Sequence, residues 1–383
     1  MTIRVLLVCQ PIDGGVAHHV DTLARYLPDH GVAATVACPP STWADELVRA
    51  GIDVVEVPMV RQVAPRTDLA ALRCLHAATA GASYDVIHTH SAKAGVLGRV
   101  TGGSRRVPTV HTPHAWSFLA AGGRGSTRVY SGIERRLARS TAAIICVSSG
   151  ERQRGLAVAD ADRLVVVPNG IEAPDLHARP GRGDHVVVGT VARLAPQKGI
   201  AYLLEAIAGV RTVRRDVQLR IAGNGPLHDQ LQEHARQLDL SEAVTFVGAV
   251  PSPWPFLTDL DIFVLPSLWE GLPYALLEAM AVGLPTVATT VDGVAEAIPD
   301  RRFGTVVAPA DSARLAREIL ALIEDPHGAA AMGRLARAHV RSTFTVDEMV
   351  RGTVEVYRRV LDGRPPQPAE ADARRPTLTS AGG

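Results

Sequence analysis

Short unbroken apolar runs recur along this chain, and between them apolar residues repeat every three to four positions. In the first half the runs predict strands at 3–9, 32–37, 54–57, 86–88, 109–112, 142–147 and 164–167. They do not alternate with polar residues, which marks strands covered on both faces, as in parallel sheets. Amphipathic stretches at 16–27, 69–79 and 129–140 supply the crossover helices. Repeated strand–helix alternation predicts a doubly wound open sheet.

The segment 172–184, EAPDLHARPGRGD, breaks this rhythm with Pro and Gly and reads as a linker between domains. The alternation then restarts, with strands predicted at 186–192, 218–222, 244–247, 262–266, 286–289 and 305–307. Helices are predicted at 200–210, 227–238, 274–282, 313–324, 329–342 and 346–361. The expectation is two Rossmann-like α/β domains, 1–175 and 185–345, facing across a cleft, which suits a length of 383 residues. The tail 363–383, rich in Pro, Ala, Arg and Gly, is expected to be disordered. In sheets of this kind ligands bind beyond the carboxyl ends of the strands, so the loops after strands are the place to look for chemistry.

Composition narrows the partners. Hydrophobic residues at 46% and charged residues at 21% exclude a disordered chain, and a net charge of +1 gives no general attraction to nucleic acid. Residues 1–183 nevertheless carry 20 Lys+Arg against 15 Asp+Glu, so the first half is basic and the second acidic. Cys9, Cys38, Cys74 and Cys146 form no C-x-x-C pair and read as buried thiols in a reduced compartment. The first residues read as a core strand rather than a leader, and no run approaches the ~20 apolar residues of a membrane span. A cytoplasmic enzyme is expected.

Several loops carry candidate chemistry. QPIDGGV at 10–16 places Gly14 and Gly15 between strand and helix, where backbone can approach an anion or simply turn. His88, His90, His111 and His114 end two strands. Their spacing is not that of helical metal ligands and no carboxylate follows, so no metal is expected. His114 is the candidate for a substrate contact, while His88 and His111 are expected to shape loops. In GTVARLAPQKG, Arg193 and Lys198 could neutralise a diphosphate or remain solvated surface charges. Gly223, Asn224 and Gly225 form a Gly-rich turn that lacks a full dinucleotide fingerprint, so no redox cofactor is expected. In PSLWEGLPYALLEAMA, Glu270 lies in a loop, Pro273 suits a helix start, and Glu278 sits in an apolar helix where a carboxyl without a partner is costly.

Together these residues resemble the retaining glycosyltransferases of family 4, which have the GT-B double-Rossmann fold; the likeness spans about residues 3 to 361. Its most specific element is E-x7-E, here Glu270 to Glu278. Gly14-Gly15-Val16, Thr112-Pro113-His114, Pro168-Asn169-Gly170, the Arg193 and Lys198 pair and Ala222-Gly223-Asn224-Gly225 support it.

The resemblance implies roles. Arg193 and Lys198 would bind the donor diphosphate, Glu278 the ribose and Glu270 the sugar hydroxyls, with backbone at Gly271, Leu272 and Tyr274 completing the cradle. The base would lie near Asn224 and Val250, His114 near the sugar 6-position, and the Gly14-Gly15 loop over the phosphates. The helix 346–361 would pack on the N-terminal, acceptor-binding domain. Such enzymes retain the anomeric configuration without a bound metal or cofactor, most often with a UDP-sugar. The triplets Asp160-Ala161-Asp162 and Asp259-Leu260-Asp261 precede strands and are read as surface turns. Ala115 departs from the family pattern, where Gly often follows T-P-H.

Two acceptors stay open: a polyprenyl-linked glycan precursor or a small hydrophilic molecule. The basic segment 124–139 could rest on an anionic membrane or be an ordinary solvated face. A phosphorylase, an epimerase or an inactive sugar-nucleotide binder of the same fold are minor alternatives.

Overall fold

The computed structural model describes residues 2–120, 123–178, 180–181 and 183–366; of the tail expected to be disordered, residues from 367 on lie outside these. The chain divides into two compact units. One holds the chain up to Pro168 together with the chain from Val350, and the other is Asn169–Met349.

The first unit contains β1 (Ile3–Cys9), β2 (Val32–Cys38), β3 (Asp53–Glu56), β4 (Val86–His90), β5 (Thr109–Thr112), β6 (Ala143–Cys146) and β7 (Leu164–Val166). All are parallel, in the order β3-β2-β1-β4-β5-β6-β7. Val5, Leu6, Leu7, Val8, Val36, Ile87, Val110 and Ile144 are wholly buried, as covering both faces requires. The order turns back at β1 and β4. There Cys9 pairs with His90, and His90 with Thr112, so the histidines of both strands share one sheet end.

The helix Ala92–Arg105 was not expected from periodicity. Its packing explains why. A Cβ on Gly95, Gly98 or Gly102 would stand 2.6 Å from His111, 2.3 Å from Thr89 and 2.2 Å from Thr109, so the helix lies hard against β4 and β5. Glycines that permit this approach also remove the apolar signal and weaken helix propensity. The last helix, Val346–Leu361, contributes Gly352 against Val167 and the Tyr357 hydroxyl, 2.6 Å from His88 Nδ1, to the first unit.

The second unit has β8 (Val186–Val191), β9 (Val217–Ala222), β10 (Val244–Gly248), β11 (Ile262–Leu265), β12 (Thr286–Thr289) and β13 (Thr305–Val307), in the parallel order β10-β9-β8-β11-β12-β13. Its core joins Val188, Leu219, Ile221, Val264 and Val287 to Leu203, Leu204, Ile207 and Ile319 of the covering helices.

The segment read as a linker, 172–184, lies within this unit. Ala178 N donates to the Val282 carbonyl at 2.8 Å, and Arg337 and Arg341 hold Asp175 and the Pro174 carbonyl at 2.9 Å each. Ile171 pairs with Thr345. The chain changes unit upstream, at Pro168–Asn169, because these contacts fasten the Pro- and Gly-rich stretch to the second body. Of the Asp triplets, Asp261 receives the Gly181 and Val187 amides at 2.6 and 2.7 Å, a structural use of that carboxylate.

No helix among the described residues is long and apolar enough to cross a membrane. All four cysteines are free; burial raises the Cys9 and Cys146 thiols and pushes Cys38 up to about 12, which leaves them unreactive.

Candidate active site

The order of the second sheet reverses at β8, which lies between β9 and β11, and the loops after β8 and β11 flank the crevice that such a reversal opens. The β8 loop carries Arg193 and a single 3₁₀ turn, Pro196–Lys198. The β11 loop carries Ser267 and Glu270. Gly199, with φ of 60°, is where they meet: a Cβ there would stand 2.1 Å from the Pro266 carbonyl oxygen. Backbone then ties the loops, Leu268 N donating to the Gln197 carbonyl at 2.7 Å.

Glu270 is only 6% exposed and is held by three donors. Lys198 Nζ ion-pairs with Oε1, Ser267 Oγ donates to Oε1 at 2.8 Å, and Gln197 Nε2 donates to Oε2 at 3.2 Å. Ser267 is itself set by Thr289, whose hydroxyl donates to its carbonyl at 2.5 Å. A carboxylate offers roughly four lone-pair sites, so one on Oε2 is left for a hydroxyl. Lys198 keeps donors to spare, and the exposed Arg193 side chain has no partner among the described residues. Lys198 thus pairs with a nearly saturated carboxylate, while Arg193 stays exposed on the same loop.

The helix Tyr274–Ala281 starts after Pro273 and carries Glu278. Among the described residues the half-buried Glu278 side chain makes no hydrogen bond or ion pair, and burial pushes its carboxyl up to about 7. Tyr274 is buried, with its hydroxyl 3.7 Å from Met349 Sδ. Gly271 and Leu272 are buried too. Their loop is fixed by Asn169 Nδ2, which donates to the Leu272 carbonyl at 2.7 Å, and by Gly293, where a Cβ would stand 2.3 Å from the Gly271 oxygen. The Gly-rich turn after β9 joins the same end. Gly223 and Gly225 lie where a Cβ would strike the Ala192 and Leu194 carbonyls at 2.0 and 2.3 Å, while the Asn224 side chain stays exposed. Val250, half-buried, follows β10 beside this turn.

In the first unit Gly14 and Gly15 open the helix Gly14–Tyr26, both exposed, with Gly14 at φ of 70°. His88 uses both ring nitrogens, with the Tyr357 hydroxyl at 2.6 Å and Thr112 Oγ1 at 2.8 Å. His111 Nδ1 lies 2.9 Å from Thr89 Oγ1. These two serve the buried framework, as expected. His114 instead lies 3.1 Å from His90 and edge-on to His19, with ring centroids 4.6 Å apart. Burial, then the neighbouring imidazoles, holds His90 and His114 well below the usual histidine range, so both are neutral.

His114 and Ala115 both have positive φ, 53° and 76°. Glu151 fixes this turn, accepting from Ala115 N at 2.6 Å and Val147 N at 2.7 Å. The left-handed conformation of Ala115 is one that glycine adopts without steric cost.

Comparison with known proteins decides the family. The model for Glycosyltransferase Family 4 matches residues 13–173, and that for Glycosyl transferases group 1 matches 174–339. The UDP-Gal:alpha-D-GlcNAc-diphosphoundecaprenol alpha-1,3-galactosyltransferase of Escherichia coli is 30% identical, over 67% of this chain and 70% of that one. The chain belongs to glycosyltransferase family 4. The alpha-maltose-1-phosphate synthase of Mycolicibacterium smegmatis is 31% identical to this glycosyltransferase over 72% of it and 79% of the relative. Anabaena HepE in complex with UDP and glucose shares the fold, with a TM-score of 0.78 at 22% identity, covering 92% of this chain and 98% of that one. The family uses nucleotide sugars, and the GT-B arrangement of two Rossmann-like domains is shared.

In this glycosyltransferase the loops after β8, β9 and β11 bring Arg193, Lys198, Glu270 and the Gly223–Gly225 turn to one end of one sheet. Sequence reading missed Ser267, Gln197, Thr289, Glu151 and His19. Ser267 and Thr289 carried one available signal, a hydroxyl at the carboxyl end of a strand. Glu151 and His19 lie on helices, and only the folded chain brings them to their partners.

Proposed function

We propose that this glycosyltransferase moves a hexose or N-acetylhexosamine from a UDP-sugar, with retention of configuration, to a hydroxyl of a lipid-linked glycan precursor. The observation that carries the reading is the Lys198–Glu270 ion pair, with the unpartnered Arg193 on the same loop. Arg193 would take the diphosphate as a fork and Lys198 as a point charge, stabilising the UDP that leaves. Two side-chain cations supply that charge, and no divalent ion is assigned to the donor. Glu278 would accept the ribose hydroxyls, and the base would lie by Asn224 and Val250.

Glu270, already accepting from three donors, is a weak nucleophile with one site open. It fits positioning of a sugar hydroxyl better than a covalent intermediate, and attack from the face that UDP leaves needs no protein nucleophile. His114 is assigned to the transferred sugar, Gly14 and Gly15 to the phosphates, and the first unit to the acceptor.

The lipid-linked acceptor is supported by the undecaprenol-linked substrate in the name of the Escherichia coli relative and by the helix Arg124–Ala138. That helix exposes Val129, Tyr130 and Ile133 beside Arg124, Arg128, Arg135 and Arg136, a face suited to peripheral contact with an anionic cytoplasmic leaflet. A soluble acceptor is the second reading, favoured by the maltose-1-phosphate relative. Labelled UDP-sugars incubated with the enzyme and a host extract, then partitioned between butanol and water, separate the two. Label in butanol supports a lipid-linked acceptor, and label on a small aqueous product refutes it.

A further inference from the structure

The first unit gathers five histidines at one end of its sheet. His88 is saturated by Tyr357 and Thr112, and His111 is bonded to Thr89. The other three, His19, His90 and His114, face one another. One ring nitrogen from each lies within 4.8 Å of the other two. His19 comes from the helix after β1, His90 ends β4, and His114 follows β5, so three separate elements converge on one point.

Several features of this triad are those of a metal site. Imidazoles binding one ion at about 2.1 Å stand within such a mutual distance, and the neutral ring is the form that binds. His90 is fully buried, with its Nδ1 3.1 Å from His114 Nε2, so two of the three rings already turn nitrogens toward each other. Two anchoring shells are present. His88, hydrogen-bonded on both nitrogens, lies tilted against His90 with ring centroids 4.1 Å apart, and the Glu151 carboxylate accepts from the amide of Ala115, next to His114. His114, half-buried, leaves one side of the cluster open to solvent.

We propose that His19, His90 and His114 form a binding site for a divalent late-transition-metal ion, Zn²⁺ by ligand type, with its fourth position open to water or an anionic oxygen. An all-nitrogen set of three imidazoles selects zinc, copper or nickel over magnesium or calcium, which take oxygen ligands. The site lies in the first unit and does not depend on the donor-site reading. One consequence does rest on the assignment of His114 to the transferred sugar: an ion that holds His114 removes it from the substrate, so zinc would inhibit transfer.

The full-length protein, stripped with a chelator and dialysed, is titrated with Zn²⁺ by calorimetry. One tight equivalent is expected, and the Co²⁺ form should show a tetrahedral visible band without a thiolate charge-transfer band. His19→Ala and His90→Ala should each weaken the ion at least about tenfold, since three ligands cannot be reduced to two without that loss. His327→Ala, outside the cluster, should leave it unchanged. Absence of a stoichiometric site in the wild-type protein overturns the proposal without recourse to any variant that might misfold. So does a cobalt thiolate band, or equal affinity in the His19 and His90 variants. Binding with inhibition that His19→Ala relieves supports both the site and the role of His114. Binding without inhibition supports the site and removes His114 from the reaction.

Discussion

Lys198 ion-pairs with Glu270 across the reversal point of the second sheet, although 72 residues separate them in sequence. The pair joins the loop after β8 to the loop after β11, and under the proposed function Lys198 would supply the charge that stabilises a leaving diphosphate. Lys198→Ala is expected to lower kcat about 100- to 1,000-fold, the range for loss of one preorganised charge donor, with a smaller change in donor KM. Steady-state kinetics with the donor varied would show this. An unchanged kcat would remove Lys198 from the mechanism.

Glu278 predicts a pH dependence of donor binding. Its carboxyl is raised from 4.5 to about 7 by burial, so the folded chain holds a proton that the unfolded chain has released. Stability contributed by this group therefore falls as pH rises from 4.5 to 7, and below that window the two states are equal. Glu278→Gln should gain stability over wild type as pH rises from 5 to 8, by no more than about 3 kcal/mol at about 1.4 kcal/mol per unit. Donor binding runs the other way, because ribose hydroxyls are accepted best by the carboxylate. Donor KM should fall as pH rises through about 7 in wild type and stay flat in Glu278→Gln. A pH-independent wild-type KM contradicts this role.

The turn at His114 and Ala115 predicts a stabilising substitution. Ala115 sits at φ of 76°, which costs an L-residue about 1–2 kcal/mol. Ala115→Gly should raise Tm by about 2–4 °C, after the glycine's greater unfolded entropy is offset. Glu151→Ala should lower it by more, since the half-buried Ala115 and buried Val147 amides lose their acceptor at about 1–3 kcal/mol each. Thermal melts of both variants test the turn, and a destabilised Ala115→Gly contradicts the strain argument.

Arg99 and Glu134 form a buried pair at 2.8 Å, with Arg99 also donating to the Gly95 carbonyl at 2.7 Å. The pair fastens the basic helix Arg124–Ala138 to the glycine-rich helix beneath it. Arg99→Met leaves the Glu134 carboxylate unpaired and should cost about 3–5 kcal/mol, while adding Glu134→Leu should recover most of that. Melting temperatures of the single and double variants test it. If the double variant melts as low as the single, the loss comes from packing and not from the uncompensated charge. The outer face of the same helix, including Val129 at 60% exposure, should give co-sedimentation with anionic vesicles that Arg128→Ala/Arg136→Ala abolishes.

Much of this architecture was readable from period alone. All thirteen strands among the described residues lie within two residues of the positions that unbroken apolar runs predict, because strands covered on both faces need such runs. Ala92–Arg105 escaped because its packing face is glycine, and short helices such as Ser149–Gly155 because a seven-residue segment shows no period. For the site, Glu270, Glu278, Arg193 and Lys198 were legible as polar residues after strands or inside an apolar helix. The saturation of Glu270 by Ser267 and Gln197 was not, since those partners are fixed only by the approach of two loops. The His19–His90–His114 cluster was hidden for the same reason: its members are spread over three elements, and local spacing carries no sign of the meeting.

The most direct test of the central claim is a calorimetric titration of UDP into the chelator-treated protein. Saturable binding is expected without a divalent ion, weakened about 10- to 100-fold by Glu278→Ala, as loss of hydrogen bonds to a charged group implies, and weakened also by Arg193→Ala. No UDP binding in the absence of metal, or affinity untouched by both substitutions, would contradict the account.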